Sequence, residues 1–362
     1  MSKKQHGPSL YYATDKNVFD ALNQHKVDNP TVMELFQRRN IIVGKKNSRE
    51  ELAKYFSRLT HDYYDHKAIA NRLGISSRRE RVTSMDIVTE EEFDDIKVAI
   101  EEYKKELESS GEVVQVSRDG ESLSVNIQYT TVDYKKSEFS QVQVRDGTIE
   151  FVKTDNGYTV RNTENDYLSG ARDSLFGKIE KESKKTLEKI DVSLADITSH
   201  KLRSKFFHEL MLNLPGYTFI DATSVYVYKA IPEINEDDES DVYDVDTHID
   251  RIALRGKGVS RSEILNDLLD DENFYIIKVG WKTKEDLGAG HIYDIEATFT
   301  NPKDCVGFSF ILNGVYPYED GRISATRRSP AKFEITSISN DIEAKSRELV
   351  KVLRSESEKG GT

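Results

Sequence analysis

Apolar residues recur every three or four positions through the first part of the chain, which is the period of an amphipathic helix. Short helices are predicted over residues 31–42, 47–60 and 65–74. Ser48 and Glu51 have the spacing of a capping box at the start of the second helix. Three short helices with brief connections predict a compact helical bundle.

A stronger helical pattern occupies residues 90–112, and the period then changes to two. Polar residues alternate with apolar ones from Val113 to about Thr163. Three dipeptides with the composition of tight hairpin turns interrupt this alternation: Asp119-Gly120, Asp146-Gly147 and Asn156-Gly157. The pattern predicts an antiparallel meander of about five strands.

The second half of the chain mixes both periods without a fixed repeat. Helices are predicted over 168–190 and 199–214, from a capped start at Ser260 and Glu263, and over 340–353. Strands are predicted over 217–230, 273–283, 291–301, 305–318 and 331–339. Strands do not alternate regularly with helices, so an α+β fold is favoured over a doubly wound sheet.

The predicted fold class is α+β, with an N-terminal small helical bundle followed by an antiparallel β-meander and a mixed α+β body. The predicted domains are a basic helical module at 1–86, a helix with the meander and further helices at 87–230, and an α+β region at 251–362. Residues 231–250 contain nine acidic residues and no Lys or Arg, which predicts an acidic loop or linker.

Charge is distributed unevenly along the chain. The formal net charge is −12, which argues against a protein that coats nucleic acid with its whole surface. Between Thr31 and Arg81, however, twelve Lys/Arg face six Asp/Glu. This contrast is typical of a basic module attached to an acidic body.

Other chemical signals are few. No window approaches the roughly 18 apolar residues of a membrane span, and the first residues lack an apolar signal-peptide core. A single cysteine, Cys305, leaves no internal disulfide and no cysteine-rich metal site. We therefore expect a cytoplasmic protein without membrane association, cofactor or metal site.

The stretch from Asp65 to Thr83 carries the parts of a two-helix DNA-binding motif. Ala70 is small enough for a second helix to approach, Gly74 allows the turn, and the interior positions are Ile69, Leu73 and Ile75. On these residues the stretch resembles the helix-turn-helix motif, which implies a recognition helix over 76–83. Glu80 departs from the motif, because an aliphatic residue usually occupies its position.

Upstream, residues 31–59 combine an apolar helix, an arginine-containing exit, a Gly-Lys turn and a capped second helix. In these features the segment resembles the SAP motif, another small DNA-binding unit. Both resemblances imply contact with nucleic acid, most simply duplex DNA. The candidate contact residues are Lys45, Lys46, Arg49, Arg72, Ser76, Ser77, Arg78, Arg79 and Arg81. A protein-docking surface or a merely solvated basic face are the alternatives.

Two chemical alternatives lie elsewhere. Gly256 and Gly258 precede a capped helix, which is typical either of an anion-binding turn or of a plain strand-to-helix connection. A diverged metal-dependent nuclease could be built on Glu150 with Lys153, or on Asp294 with Glu296, although neither pair completes the usual set of carboxylates and lysine.

The leading functional hypothesis is a non-catalytic, nucleic-acid-binding accessory or sensor subunit of a prokaryotic DNA-processing or antiviral defence assembly. Its body would bind a protein partner or self-associate into an oligomer. The alternatives are the diverged nuclease and a protein-interaction scaffold that binds no nucleic acid.

Overall fold

The structure is a computed structural model, of which we describe residues 13–24, 27–44, 46–74, 80–136, 138–229, 251–256, 258–270 and 274–360. The helices of this part are α1 (Asp15–Leu22), α2 (Asn29–Gln37), α3 (Arg49–Ser57), α4 (Tyr63–Gly74), α5 (Phe93–Ser110), α6 (Glu138–Gln141), α7 (Asp166–Ser183), α8 (His200–Leu212), α9 (Glu263–Asp270) and α10 (Lys332–Gly360).

Its strands are β1 (Val82–Val88), β2 (Val113–Asp119), β3 (Ser122–Val132), β4 (Val142–Thr154), β5 (Gly157–Thr163), β6 (Glu188–Asp191), β7 (Tyr217–Tyr228), β8 (Arg251–Arg255), β9 (Tyr275–Glu285), β10 (Ile292–Asn301), β11 (Val306–Tyr316), β12 (Tyr318–Glu319) and β13 (Arg322–Ile323). Short N-terminal helices precede a body rich in antiparallel strands, which confirms the predicted α+β class.

Contacts divide the chain into two units, each discontinuous in sequence. Unit 1 contains residues 1–79, 91–152 and 166–186. Unit 2 contains residues 80–90, 153–165 and 187–362. Each unit draws on more than one of the segments predicted as domains.

The N-terminal bundle of unit 1 forms from the helices that the sequence predicts. The capping box at α3 is present, because the Ser48 hydroxyl accepts from the Glu51 amide at 3.2 Å and the Glu51 carboxylate accepts from the Ser48 amide at 2.9 Å. The core of the bundle consists of Val18, Ala21, Leu22, Val27, Val32, Leu35, Phe36, Leu52, Ala53, Phe56, Ile69, Leu73 and Phe139.

The second part of unit 1 packs α5 and α7 against each other and α5 against β2. The apolar stripe along α5 is buried, and Gly111 follows the helix in the left-handed conformation that a glycine adopts without strain. β2 pairs with β3 and β3 with β4, all antiparallel.

The predicted antiparallel meander is present, but one of its three predicted turns is not. Gly120 has a φ of 57° between β2 and β3, and Gly157 follows β4 with a φ of 147°, so both lie at predicted turns. Gly147 instead lies inside β4, paired with Ile127, and the described residues form four strands where about five were predicted. A Cβ at Gly147 would come within 2.1 Å of Leu168 Cδ1, so close packing of α7 explains this glycine.

Unit 2 is built on a sheet with the strand order β5-β1-β11-β10-β9-β7-β8, with β6 paired to β1. Every pairing with a described register is antiparallel. One face carries the core: Ala222, Val225 and Val227 of β7, Val279 and Trp281 of β9, and Ile295 and Ala297 of β10. Helix α8 packs on β9, and α10 packs on α8, so these helices cover that face.

Two further predicted elements are wrong. Of the strand predicted over 331–339, residues 332–339 belong to α10, where Ile338 and Ile342 are buried four residues apart on one helix face. The helix predicted to reach Ile190 ends at Ser183, and Ile190 lies in β6. β-branched residues in both segments fit either state, so packing partners decide between them.

A buried ion pair connects α10 to the sheet. The Arg161 guanidinium on β5 donates to both carboxylate oxygens of Glu343 at 2.8 Å and to the Asn340 side chain at 2.7 Å. The side chains of Arg161 and Glu343 are only 8% and 2% exposed. In the described part of the chain, no helix is long and apolar enough to span a bilayer.

Candidate nucleic-acid interface

Only the first helix predicted for the stretch from Asp65 to Thr83 lies within the described residues. Helix α4 covers the predicted first helix and its last residue is Gly74. Residues 75–79 lie outside the described residues. Glu80 and Arg81 are not helical and β1 begins at Val82, so the predicted recognition helix is wrong over 80–83. The reason is tertiary, because β1 pairs along its whole length with β5.

The predicted contact residues are dispersed. Lys46 and Arg72 are exposed on unit 1, as a phosphate contact would require. Arg49 is instead structural in part, because its Nε donates to the Leu22 carbonyl at 2.9 Å. The remaining candidates of unit 1 lie outside the described residues: Lys45, Ser76, Ser77, Arg78 and Arg79.

Arg81 belongs to unit 2, where it contacts Glu296, a residue of the nuclease hypothesis. Its Nη2 lies 2.6 Å from Glu296 Oε1, and Lys278 Nζ lies 2.9 Å from the same oxygen. Burial disfavours a charge on Glu296, but the hydrogen bonds from Arg81 and Lys278 outweigh it and hold the pKa of this carboxyl below its usual range. We call these three residues the Glu296 triad.

A tyrosine lies beside the triad and contacts two cations. Lys278 Nζ is 4.8 Å from the centroid of the Tyr226 ring, and the Arg255 guanidinium carbon is 5.4 Å from it. Arg255 Nε also donates to the Tyr226 hydroxyl at 3.0 Å. The ring, on β7, therefore lies between positive charges on β8 and β9.

The same combination recurs along this side of the sheet. The Arg251 guanidinium lies 5.8 Å from the Tyr228 ring centroid, and Lys282 Nζ lies 4.3 Å from that of Tyr316. We call the side of the sheet that carries these pairs and the Glu296 triad the tyrosine–cation face. It consists of Arg81, Tyr226, Tyr228, Arg251, Arg255, Lys278, Lys282, Glu296 and Tyr316.

Strand register explains why these residues gather. Tyr226 is opposite Lys278, and Lys278 is opposite Thr298, two residues from Glu296 on the same side of β10. Their strand neighbours Val279 and Trp281 point to the opposite side and are fully buried. The alternation that buries one face of β9 thus places its lysines on the other face.

Positive charge predominates on the tyrosine–cation face. The carboxylates of Glu296 and Asp294 are each matched by an arginine from outside the strands, Arg81 and Arg327, with Arg327 Nη1 2.7 Å from Asp294 Oδ2. Four further cations of the face come from the strands themselves: Arg251, Arg255, Lys278 and Lys282. A chain with a net charge of −12 therefore carries a local basic surface with aromatic rings.

The two chemical alternatives find less support in the geometry. The Gly258 amide donates to the Asp221 carboxylate at 3.1 Å, so this backbone N–H already has an anionic partner within the chain. Asp294 and Glu296 are each paired with arginine, and no group of three His, Cys, Asp or Glu in the described residues could hold a metal ion. Glu150 accepts from the Ser122 hydroxyl at 2.7 Å.

Sequence reasoning missed the tyrosine–cation face, although part of its signal was present. β7 ends with Tyr226 and Tyr228, and β9 carries Lys278, Lys282 and Lys284 at even spacings, but exposed strand positions are commonly polar. Only the register shows that these positions meet across β7, β9 and β10. No protein-family model matches this chain, and no characterised protein gives a significant sequence match.

Proposed function

We propose that this chain binds nucleic acid through the tyrosine–cation face, as a non-catalytic accessory or sensor subunit. The observation that carries the proposal is the set of cation-contacted tyrosines on the side of the sheet opposite the helices. The setting that we propose, as the sequence suggested, is a prokaryotic DNA-processing or antiviral defence assembly in the cytoplasm.

The chemistry of nucleic acid suits this surface. Phosphates attract lysine and arginine whatever the base sequence, and every base has a flat face that stacks on an aromatic ring. Arg251 and Arg255 are exposed, so they can reach a phosphate without loss of buried contacts. A stability role alone does not require this exposed positive charge, because exposed charge pairs contribute about 0–1 kcal/mol.

Unit 1 supplies a second set of basic residues for the same function. Lys46 and Arg72 are exposed, and they belong to the segments that resemble DNA-binding motifs. Contact of this segment with duplex DNA is part of the proposal, and it can be tested separately from the tyrosine–cation face.

The nuclease alternative requires a different set of side chains around Glu296. A metal-dependent site needs a second carboxylate beside Glu296, whereas the two nearest side chains that Glu296 contacts are cations. Nuclease activity that depends on a divalent metal and is lost in Glu296→Ala would favour it over the binding function.

The test is a salt titration of binding with fluorescently labelled oligonucleotides, both single-stranded and duplex, measured by anisotropy. The double variant Arg251→Ala/Arg255→Ala should weaken binding at least tenfold at low salt and reduce the salt slope, because two phosphate contacts are lost. The matched control is Lys351→Ala/Arg354→Ala on α10, which removes the same charge from the helical side.

A variant Lys46→Ala/Arg72→Ala measures the contribution of unit 1. Absence of binding to either oligonucleotide at low salt would overturn the proposal. If Arg251→Ala/Arg255→Ala and the α10 control lose the same affinity, the effect is one of net charge. That result would also overturn a binding site on the tyrosine–cation face.

A further inference from the structure

We infer that the tyrosine–cation face selects single-stranded nucleic acid, and that one backbone phosphate binds between Arg81 and Lys278 in place of Glu296. This inference rests on the proposed function and deepens it, since it names the ligand class and the residue that controls the site. Its evidence is the placement of the rings and the geometry of the Glu296 triad.

The rings favour unpaired bases. In a duplex the base faces are stacked on each other, so a tyrosine on a sheet surface reaches only the backbone or the groove edges. In a single strand the faces are free, and a ring on an open sheet can stack on them. Tyr226 and Tyr316 are both partly exposed, on the face of the sheet opposite the core that α8 and α10 cover.

The distance between these rings suits an extended strand. Tyr226 on β7 and Tyr316 on β11 are three strand spacings apart, with about six residues of offset along the strands. With about 4.8 Å between strands and about 3.3 Å per residue, this corresponds to about 25 Å. Such a length accommodates several nucleotides, within the range of about 4 to 16 that single-strand-binding domains cover.

The Glu296 triad provides a ready phosphate position between the rings. Two cations from separate segments, Arg81 and Lys278, converge on one carboxylate oxygen, at 2.6 and 2.9 Å. A phosphate oxygen accepts the same charge-assisted hydrogen bonds. The side chains of the triad are 19–31% exposed, so solvent and ligand can reach them.

Glu296 therefore acts as an internal competitor of the phosphate. While it is bound, one of the two positive charges is neutralised, and a polyanion must displace the carboxylate to gain both cations. Removing its charge without changing its shape should make the site available. The expected consequence is tighter binding by the variant than by the natural protein, which a residue needed only for folding would not produce.

The decisive variant is Glu296→Gln, compared with Asp196→Asn. Asp196 also pairs with an arginine, Arg354 on α10 at 2.6 Å, so this control makes the same charge change and releases a cation on the helical side. We expect Glu296→Gln to tighten single-strand binding about tenfold or more at low salt. The magnitude of the slope of log affinity against log salt should rise by about 0.7, for one more neutralised phosphate.

A ring variant tests stacking. Tyr226→Ala should weaken single-strand binding by about fivefold to a hundredfold, whereas Tyr226→Phe keeps the ring and should remain within a few-fold of the natural protein. Far-ultraviolet circular dichroism of each variant checks that it is folded. Equal losses in Ala and Phe variants would overturn the stacking role.

The two levels of the proposal fail separately. Duplex binding that equals or exceeds single-strand binding, or weaker binding by Glu296→Gln, would overturn this inference and leave the proposed function standing. No binding to either oligonucleotide would overturn both. If Glu296→Gln and Asp196→Asn tighten binding equally, the effect is one of net charge. That result would overturn the proposed phosphate position between Arg81 and Lys278.

Discussion

At the scale of residues, unit 2 contains arginines of two contrasting physical classes. Arg161 is buried, bidentate to Glu343 and bonded to Asn340, which is the arrangement that a structural charge requires. Arg251 and Arg255 are exposed and contact tyrosine rings. Removing a partner of the first class costs about 3–5 kcal/mol in stability, whereas the second class can be changed with little effect on folding.

His61 in unit 1 belongs to the core of the N-terminal bundle. Its side chain is 9% exposed, its ring lies 4.9 Å from that of Phe56, and Arg39, Asp65 and His66 are its charged or titratable neighbours. Burial lowers the pKa of His61 below its usual value of 6.5, and the nearby Arg39 guanidinium adds to the shift, against the Ser57 carbonyl and the Asp65 carboxylate.

This shift predicts acid sensitivity of the bundle. Because the folded pKa lies below the unfolded one, the contribution of His61 to stability is fully present above about pH 6.5 and is lost as the pH falls toward the folded pKa. One proton changes the free energy of unfolding by at most about 1.4 kcal/mol per pH unit. Denaturant unfolding at pH 7.5 and 5.5 should show a smaller loss in His61→Gln than in the natural protein. Equal losses would contradict the assignment.

At the scale of elements, local pattern predicted most helices and strands because their burial follows a single period. α5, α8, β3 and β10 are examples, each with one apolar face. The errors occur where the decisive contact is distant in sequence. Gly147 has the sequence of a turn, but Leu168, twenty-one positions later, requires a residue without Cβ inside a strand.

Gly147→Ala should therefore destabilise unit 1 by about 1–3 kcal/mol, because the new Cβ overlaps the fully buried Leu168 side chain. The matched control is Gly170→Ala in α7, where nothing lies within 4 Å of the added Cβ. In a helix this change should be neutral or stabilising by up to about 1 kcal/mol. Chemical denaturation of both variants measures the difference, and equal stabilities would contradict the close packing of Leu168 on Gly147.

The candidate site depends even more on contacts between residues that are distant in sequence. Arg81, Tyr226, Lys278 and Glu296 are spread over more than two hundred positions, and only the register of β1, β7, β9 and β10 makes them neighbours. The sequence showed a basic segment ending at Arg81 and a carboxylate pair in β10, but in separate hypotheses. No local spacing connects them, so their meeting could not be predicted.

At the scale of the whole molecule, function depends on how charge is divided. The chain carries a net charge of −12, while the tyrosine–cation face is locally positive. Such a molecule repels polyanions generally and attracts them only over short distances from that face. The Debye length is about 30 Å at 0.01 M salt and about 8 Å at 0.15 M, so the balance between the two effects depends on salt.

In sequence, the acidic residues 231–250 lie between β7 and β8, and Arg251 follows them immediately. Because Arg251 belongs to the tyrosine–cation face, we expect these charges to oppose an approaching nucleic acid. We expect neutralisation of three of these acidic residues to tighten binding about two- to tenfold at 0.01 M salt and to have little effect at 0.15 M.

The test variant replaces Glu233, Glu236 and Asp250 by the corresponding amides. The control variant makes the same change at Glu348, Glu356 and Glu358 of α10. Anisotropy titrations at both salt concentrations give the comparison. If the two variants behave alike, the affinity depends only on the total charge of the protein. If the gain in affinity persists at 0.15 M salt, long-range electrostatic repulsion by the acidic stretch is not its cause.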